Sequence, residues 1–275
     1  MNHKTLSALI ACGILLAGCQ PHETSPSARR YIDFFEIDRV SDITDPQSAL
    51  VTVQFRVLER PEVQADLALS KEQALSLQKA YNTAMDQIPG MDEFKAQRKA
   101  AKQKTGLTKE ESISQNLESS RQIKKITSQF RTRELQRILT PTQRDRLHQI
   151  VLQVRGPLLL LLDAELASAL EINSDQTRRM REVADKADVE LIPTLQKFGR
   201  GFISGYGQNE TQQKRTNEMG SLIPKLTEMI KQRDRRILQI LTARQIDQFK
   251  TRQGKPLKLD WDSWDFLQEP FDKHH

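Results

Sequence analysis

The chain has 275 residues, with 42 Lys plus Arg against 36 Asp plus Glu, a formal net charge of +6, and only 5% aromatic residues. That length supports one or two domains with a sizeable core, and 11 Gly and 11 Pro are too few for a collagen-like or Pro/Gly-rich disordered chain. A polar, aromatic-poor composition favours long amphipathic helices over a β-sandwich, which would want more Val, Tyr and Phe. The two cysteines, Cys12 and Cys19, both fall in the first twenty residues, which leaves no disulfide framework and no cysteine metal site in the rest.

Met1 to Lys4 is a short positive segment, and Leu6 to Leu16 is an apolar stretch of signal-peptide length, too short to span a bilayer as a permanent helix. Leu16-Ala17-Gly18-Cys19 follows and resembles the bacterial lipobox. The resemblance implies cleavage before Cys19 and acylation of its thiol, so that residues 1–18 are a lipoprotein signal and Cys19 carries the lipid, including palmitate-type chains. Several acyl chains anchor stably, each buried methylene contributing about 0.8 kcal/mol. An ordinary cleaved signal, or an uncleaved anchor with a chance cysteine, is the alternative. Gln20 rather than Asp comes next, which by Gram-negative sorting implies the periplasmic face of the outer membrane.

Residues 19–30 lack apolar periodicity and read as a tether. Residues 31–63 form a lead-in. Within it Val51, Val53, Phe55 and Val57 alternate as in a strand, yet Asp45-Pro46 is a good helix start, and a short helix is favoured. From Leu67 one pattern returns four times: LALSKEQALSL, ILTPTQRDRL, LEINSDQTRRM and ILTARQIDQF. Each pairs a cap residue (Ser70, Thr140, Asn173, Thr242) with a glutamine three positions on (Gln73, Gln143, Gln176, Gln245). That spacing is a capping box, in which each side chain satisfies the other residue's backbone amide. Apolar residues lie just before each cap (Leu69, Leu139, Ile172, Leu241) and seven positions after it (Leu77, Leu147, Met180, Phe249).

The order of these starts points to a duplication. Ile88-Pro89 returns as Ile192-Pro193 and RELQRILT as RRILQILT, at offsets of 102 to 104 residues. Two helical repeats are expected, over 64–157 and 158–256. Polar turns are expected near Thr105-Gly106 and in Gly199 to Asn209, with Gly-Pro stops at Gly156-Pro157 and Gly254 to Pro256. The run Leu158 to Leu162 is too short for a membrane span and reads as a buried connector.

Leu139-Thr140-Pro141-Thr142-Gln143 and Leu241-Thr242-Ala243-Arg244-Gln245 resemble the signature of the LTXXQ family of periplasmic proteins, to which the Spy and CpxP chaperones belong. Leu69 to Gln73 matches with Ser for Thr, while Asn173 to Gln176 departs in its cap. The flanking runs ERPEVQADLALSKEQ, RLHQIVLQVRGP and GKPLKLD are similar to a planctomycete group of envelope proteins with tandem repeats of this kind. The resemblance covers about Glu59 to Asp260. It implies an all-α fold of two tandem helical hairpins and an ATP-independent, chaperone-like surface, basic and partly apolar, for unfolded proteins. The family pattern is a one-copy dimer; here oligomeric state stays open, with a dimer or a one-chain pseudo-dimer as alternatives.

Charge is uneven: residues 64–256 hold 34 basic and 23 acidic side chains, against 2 and 5 in the tail 257–275. The candidate client surface comprises Arg121, Lys124, Lys125, Arg131, Arg133, Arg178, Arg179 and Arg181. A solvated helix face, a client-binding surface and a patch on anionic lipid all fit such clusters. Export and the lack of interleaved aromatics argue against nucleic acid. The tail carries Trp261 and Trp264 as candidate anchors, either docking on the cationic body or capping the last helix pair.

No Gly-x-Ser-x-Gly, P-loop or His-Glu-x-x-His is present. The acidic pairs Asp92-Glu93 and Glu110-Glu111 read as solvated, His148 as an isolated helical histidine, and His274-His275 as a poor metal site. The expectation is a non-enzyme without cofactor or metal, binding unfolded or envelope proteins. The alternatives are an adaptor lipoprotein docking one envelope partner and, less favoured, a metal-responsive sensor.

Overall fold

A computed structural model of the chain describes residues 46–102, 108–203, 225 and 228–258. The signal, Cys19, the tether, the turn at Thr105-Gly106 and the tail with Trp261 and Trp264 lie outside these residues. Among the described residues the protein is all-α, with no strand. In chain order the helices are α1 (Pro46–Leu58), α2 (Pro61–Asp66), α3 (Lys71–Asn82), α4 (Met91–Lys102), α5 (Lys109–Ile138), α6 (Pro141–Arg155), α7 (Ala164–Ala169), α8 (Ser174–Ile203), α9 (228–238) and α10 (Ala243–Arg252). Short 3-10 turns occupy Met85–Gln87 and Gly156–Leu161.

The lead-in contributes α1, which packs against α2, α3, α5 and α6. The strand-like alternation of Val51, Val53, Phe55 and Val57 has its cause here. All four are buried, and the residues between them are half-buried, so the helix is enclosed nearly all round. One apolar cluster joins α1 to Leu77 of α3, Leu147, Ile150 and Val151 of α6, Met180 of α8 and Phe249 of α10. Its middle is the leucine run, with Leu158 to Leu162 all buried in or just after the second 3-10 turn. The four apolar residues seven places after the caps are buried as well, at 0–4% exposure. No described helix is long and apolar enough to cross a membrane.

α2 runs across the expected 63/64 boundary, and the second 3-10 turn across 157/158. Both α2 and α7 end in the same way, 103 residues apart. Ala68 (φ 48°) and Glu171 (φ 55°) take the left-handed conformation, while Leu69 N–H donates to Gln64 O and Ile172 N–H to Ala167 O, both at 3.0 Å. This six-to-one bond is the Schellman stop, and it turns the chain into the next cap without a glycine. At Gly156 the stop at the end of α6 has φ 57° and ψ −151°, a region open essentially to glycine, and a Cβ would lie 2.9 Å from Asp234 Oδ2.

The halves differ beyond their first helices. After α3 the chain breaks, passes Pro89, and uses Gly90 (φ 87°) to enter α4. α8 instead continues to Ile203, through Pro193, Gly199 and Gly201, and so into the segment expected as a polar turn. Glycine lowers helix propensity by about 1 kcal/mol without forbidding the conformation. The remainder of that expected turn lies outside the described residues.

Candidate functional site

All four motif boxes close. Ser70 Oγ, Thr140 Oγ1, Asn173 Oδ1 and Thr242 Oγ1 accept from the backbone N–H three residues on, at 2.8–3.3 Å. The Oε1 atoms of Gln73, Gln143, Gln176 and Gln245 accept from the cap N–H groups at 2.9–3.2 Å. Each glutamine also reaches across the fold. Gln73 Nε2 donates to Gln143 Oε1 at 2.9 Å, and Gln143 Nε2 donates back to Gln73 Oε1 at 3.3 Å. The second pair repeats this, from Gln176 Nε2 to Gln245 Oε1 at 2.7 Å and back at 3.2 Å.

The remaining amide protons go to carbonyls at helix ends. Gln73 donates to Ile138 O (2.8 Å) and Gln143 to Leu67 O (3.1 Å). At corresponding places Gln176 donates to Ile240 O and Gln245 to Leu170 O, both at 3.1 Å. Every donor and acceptor of each side-chain amide is therefore used, which permits deep placement: Gln176 and Gln245 are each 7% exposed. A carboxylate could accept the cap bond but could not donate, so the clasp requires glutamine.

A further box was legible but read otherwise. Thr108 N–H donates to Glu111 Oε2 at 2.7 Å and Glu111 N–H to Thr108 Oγ1 at 3.2 Å, starting α5. The Thr-x-x-Glu spacing carries that signal, though Glu110-Glu111 read simply as a solvated pair. The backbone bond from Thr108, then its hydroxyl, holds the Glu111 carboxyl below its ordinary pKa.

His148 is not isolated. Its Nε2 lies 2.7 Å from Oδ2 of Asp163, whose Oδ1 accepts from Leu166 N–H and caps α7. Burial pushes the Asp163 carboxyl up, but the bonds from His148 and from the Leu166 N–H outweigh it and leave the pKa below its ordinary value. Arg146 grips Asp66 with two bonds, Nε to Oδ2 at 2.6 Å and Nη2 to Oδ1 at 3.3 Å. Gln153 ties the C-terminal strap to α6, donating to Gln253 O (2.6 Å) and Lys255 O (2.8 Å) and accepting from Leu257 N–H (2.9 Å). These partners lie about 100 residues apart, and only folding brings them together.

The candidate cations fall into four groups. Lys124, Lys125, Arg179 and Arg181 are exposed, and none makes an ion pair with another described residue. Arg121 and Arg178 are exposed but face acids: Glu118 at 3.7 Å, and Asp175 and Glu182 at 2.6 and 2.7 Å. Arg133 bonds the Gln129 carbonyl at 3.3 Å. Arg131 stands apart, because its guanidinium stacks on Tyr81 at 4.6 Å. Arg56 lies over the same ring at 4.9 Å, and Phe55 stacks on it at 5.7 Å. Arg131 is half-buried, burial lowers its pKa, and the stacking on Tyr81 makes it part of the packing between α1, α3 and α5.

Among the described residues, no group of three or more His, Cys, Asp or Glu side chains is placed to hold a metal ion. Comparison with family models, with curated proteins and with solved structures returns no match for this chain.

Proposed function

We propose that the chain is an envelope lipoprotein of two tandem, Spy-like helical-hairpin repeats, which binds unfolded or partner proteins through a cationic surface without ATP. The observation that carries this reading is the glutamine clasp: two LTXXQ-like elements about 70 residues apart, joined by their own signature residues, and the same pairing again in the second half. The pairing gives the signature residues of both LTXXQ-like elements a shared structural role in each half. Exposed Lys124, Lys125, Arg179 and Arg181 are free to meet acidic or mixed partners. The work is binding, with no catalysis, cofactor or metal, and the anchor is an acylated Cys19.

A form lacking residues 1–19, mixed with a chemically unfolded client, tests the binding by light scattering. Suppressed aggregation, weakened by Lys124→Glu with Lys125→Glu, is the expected result. Unchanged aggregation at stoichiometric excess overturns it. The mass of the mature N-terminus, with loss of membrane retention in Cys19→Ser, tests the anchor.

One observation favours the adaptor alternative. Among the described residues, the large exposed apolar side chains Leu75, Met85, Leu117 and Val189 each sit on a different element, so none of these elements carries an exposed apolar stripe of its own for non-native chains. A pull-down that returns one stoichiometric envelope protein, with no effect on unfolded clients, would establish it.

A further inference from the structure

The basic surplus of the chain is concentrated in one stretch. From Lys95 to Lys125 the sequence holds nine basic and three acidic side chains, a surplus as large as the formal charge of +6 on the whole chain. α8 differs, because between residues 174 and 191 it exposes four cationic and four acidic side chains. Arg178 there is held by Asp175 and Glu182, at 2.6 and 2.7 Å. On α5, Lys124 and Lys125 are exposed with no ion pair to another described residue, and Arg121 meets Glu118 loosely, at 3.7 Å.

These cations share a face with apolar side chains. α5 turns Ile123, Ile126 and Phe130 toward Met91 and Phe94 of α4. At about 3.6 residues per turn, Ile113, Leu117, Arg121, Lys124 and Lys125 occupy about a third of the helix circumference on the other side. Leu117 is 46% exposed, Ile113 is half-buried, and all three cations are exposed. Two apolar side chains bury too little to hold a second copy of the chain. A membrane interface takes both kinds of group at once. An apolar side chain enters the acyl boundary, lysine stems lie along it, and their ammonium groups pair with phosphates. An ammonium is a point charge without the fixed fork of a guanidinium, which suits fluid headgroups.

We propose that this stripe of α5 is a membrane-contact surface whose partner is anionic phospholipid. Arg121, Lys124 and Lys125 pair with headgroup phosphates, and Leu117 enters the interface beside them. Charge complementarity selects this partner over zwitterionic lipid, since the attraction grows with each Lys or Arg and reaches about 10 Å at about 0.1 M salt. The contact goes beyond the protein binding proposed above and does not depend on acylation of Cys19. It lays α5 along the membrane plane, an orientation for which the charge-balanced face of α8 has no preference.

Residues 19–275 carrying Cys19→Ser have no acyl chain and no cysteine, and sedimentation with vesicles tests the contact. Partition onto phosphatidylcholine vesicles with about 30% phosphatidylglycerol should exceed that onto phosphatidylcholine alone at least about tenfold. It should fall to the neutral level as salt rises to about 0.5 M. Lys124→Glu with Lys125→Glu should lower it at least about fivefold. Arg179→Glu with Arg181→Glu, the same change in net charge on α8, should lower it less than about twofold. Leu117→Cys, labelled with an environment-sensitive dye in this cysteine-free background, should brighten on the anionic vesicles, and the same label at Val189→Cys, exposed on α8, should not. Equal partition onto both vesicle types overturns the proposal. So does an α5 reversal that costs no more than the α8 reversal, or a dye at position 117 that stays in water. The vesicles contain no protein, so failure here leaves the aggregation assay standing, and failure of that assay leaves the lipid contact standing.

Discussion

The box at Thr108-Glu111 and the four boxes ending in glutamine obey one rule of spacing and do different work. Glu111 is exposed, bonds only its own cap residue, and starts α5 locally. Each glutamine closes its own box and then spends two amide protons on residues 64 to 76 positions away in sequence. The difference lies in donors: a carboxylate ends the hydrogen-bond chain at the cap, whereas an amide passes it on. A capping motif becomes a tertiary clasp by replacing an acid with its amide.

The largest test reverses that replacement in the drier pair. Gln245→Glu should cost roughly 3 kcal/mol or more in a urea melt, because it buries a charge, opposes it to Gln176 Oε1 and strips the Leu170 carbonyl of its donor. Gln143→Glu repeats the change in the half-buried pair, where water can reach the carboxylate, and should cost about 1–2 kcal/mol. Equal losses in the two would mean that burial does not distinguish the clasps. Thr242→Ala removes a cap hydroxyl and leaves the glutamine pair intact; about 1 kcal/mol is expected.

Asp163 is a cap of a third kind, an acid held by a histidine, and it responds to pH. Its folded-state pKa lies below its ordinary value. The unfolded chain therefore takes up the proton first, and this contribution is complete above about pH 4 and drains as pH falls through the folded pKa. His148→Ala should raise that pKa and move the acid-unfolding midpoint upward; an unmoved midpoint would make the 2.7 Å contact energetically silent. The smallest effect belongs to Glu111→Gln, for which the thermal midpoint at neutral pH should not change measurably. As pH falls through the lowered pKa of Glu111, below the ordinary glutamate range, the variant should keep a cap that the wild type loses on protonation, and helicity of α5 reads the difference.

Helix starts were legible in the sequence because caps, glutamines and the apolar residues beside them act over a single turn. The helical nature of residues 46–58 was legible from Asp45-Pro46, against the alternation of its valines. That alternation misleads only because the helix is enclosed, and enclosure is a property of the finished core. Arg131 reads as one more cation in a basic run, and only the approach of Tyr81 from α3 turns it inward. His148 reads as isolated because Asp163 lies 15 residues away, across a turn whose path the leucine core sets.

Local chemistry along the chain thus decided the all-α character, the cap positions and the glycine stops, each of which needs no partner beyond a few residues. Which amide meets which, which cations stay in water, and whether Ile-Pro breaks a helix were decided in three dimensions. Those outcomes depend on unused donors and on burial, and a residue acquires them only when distant segments close on it.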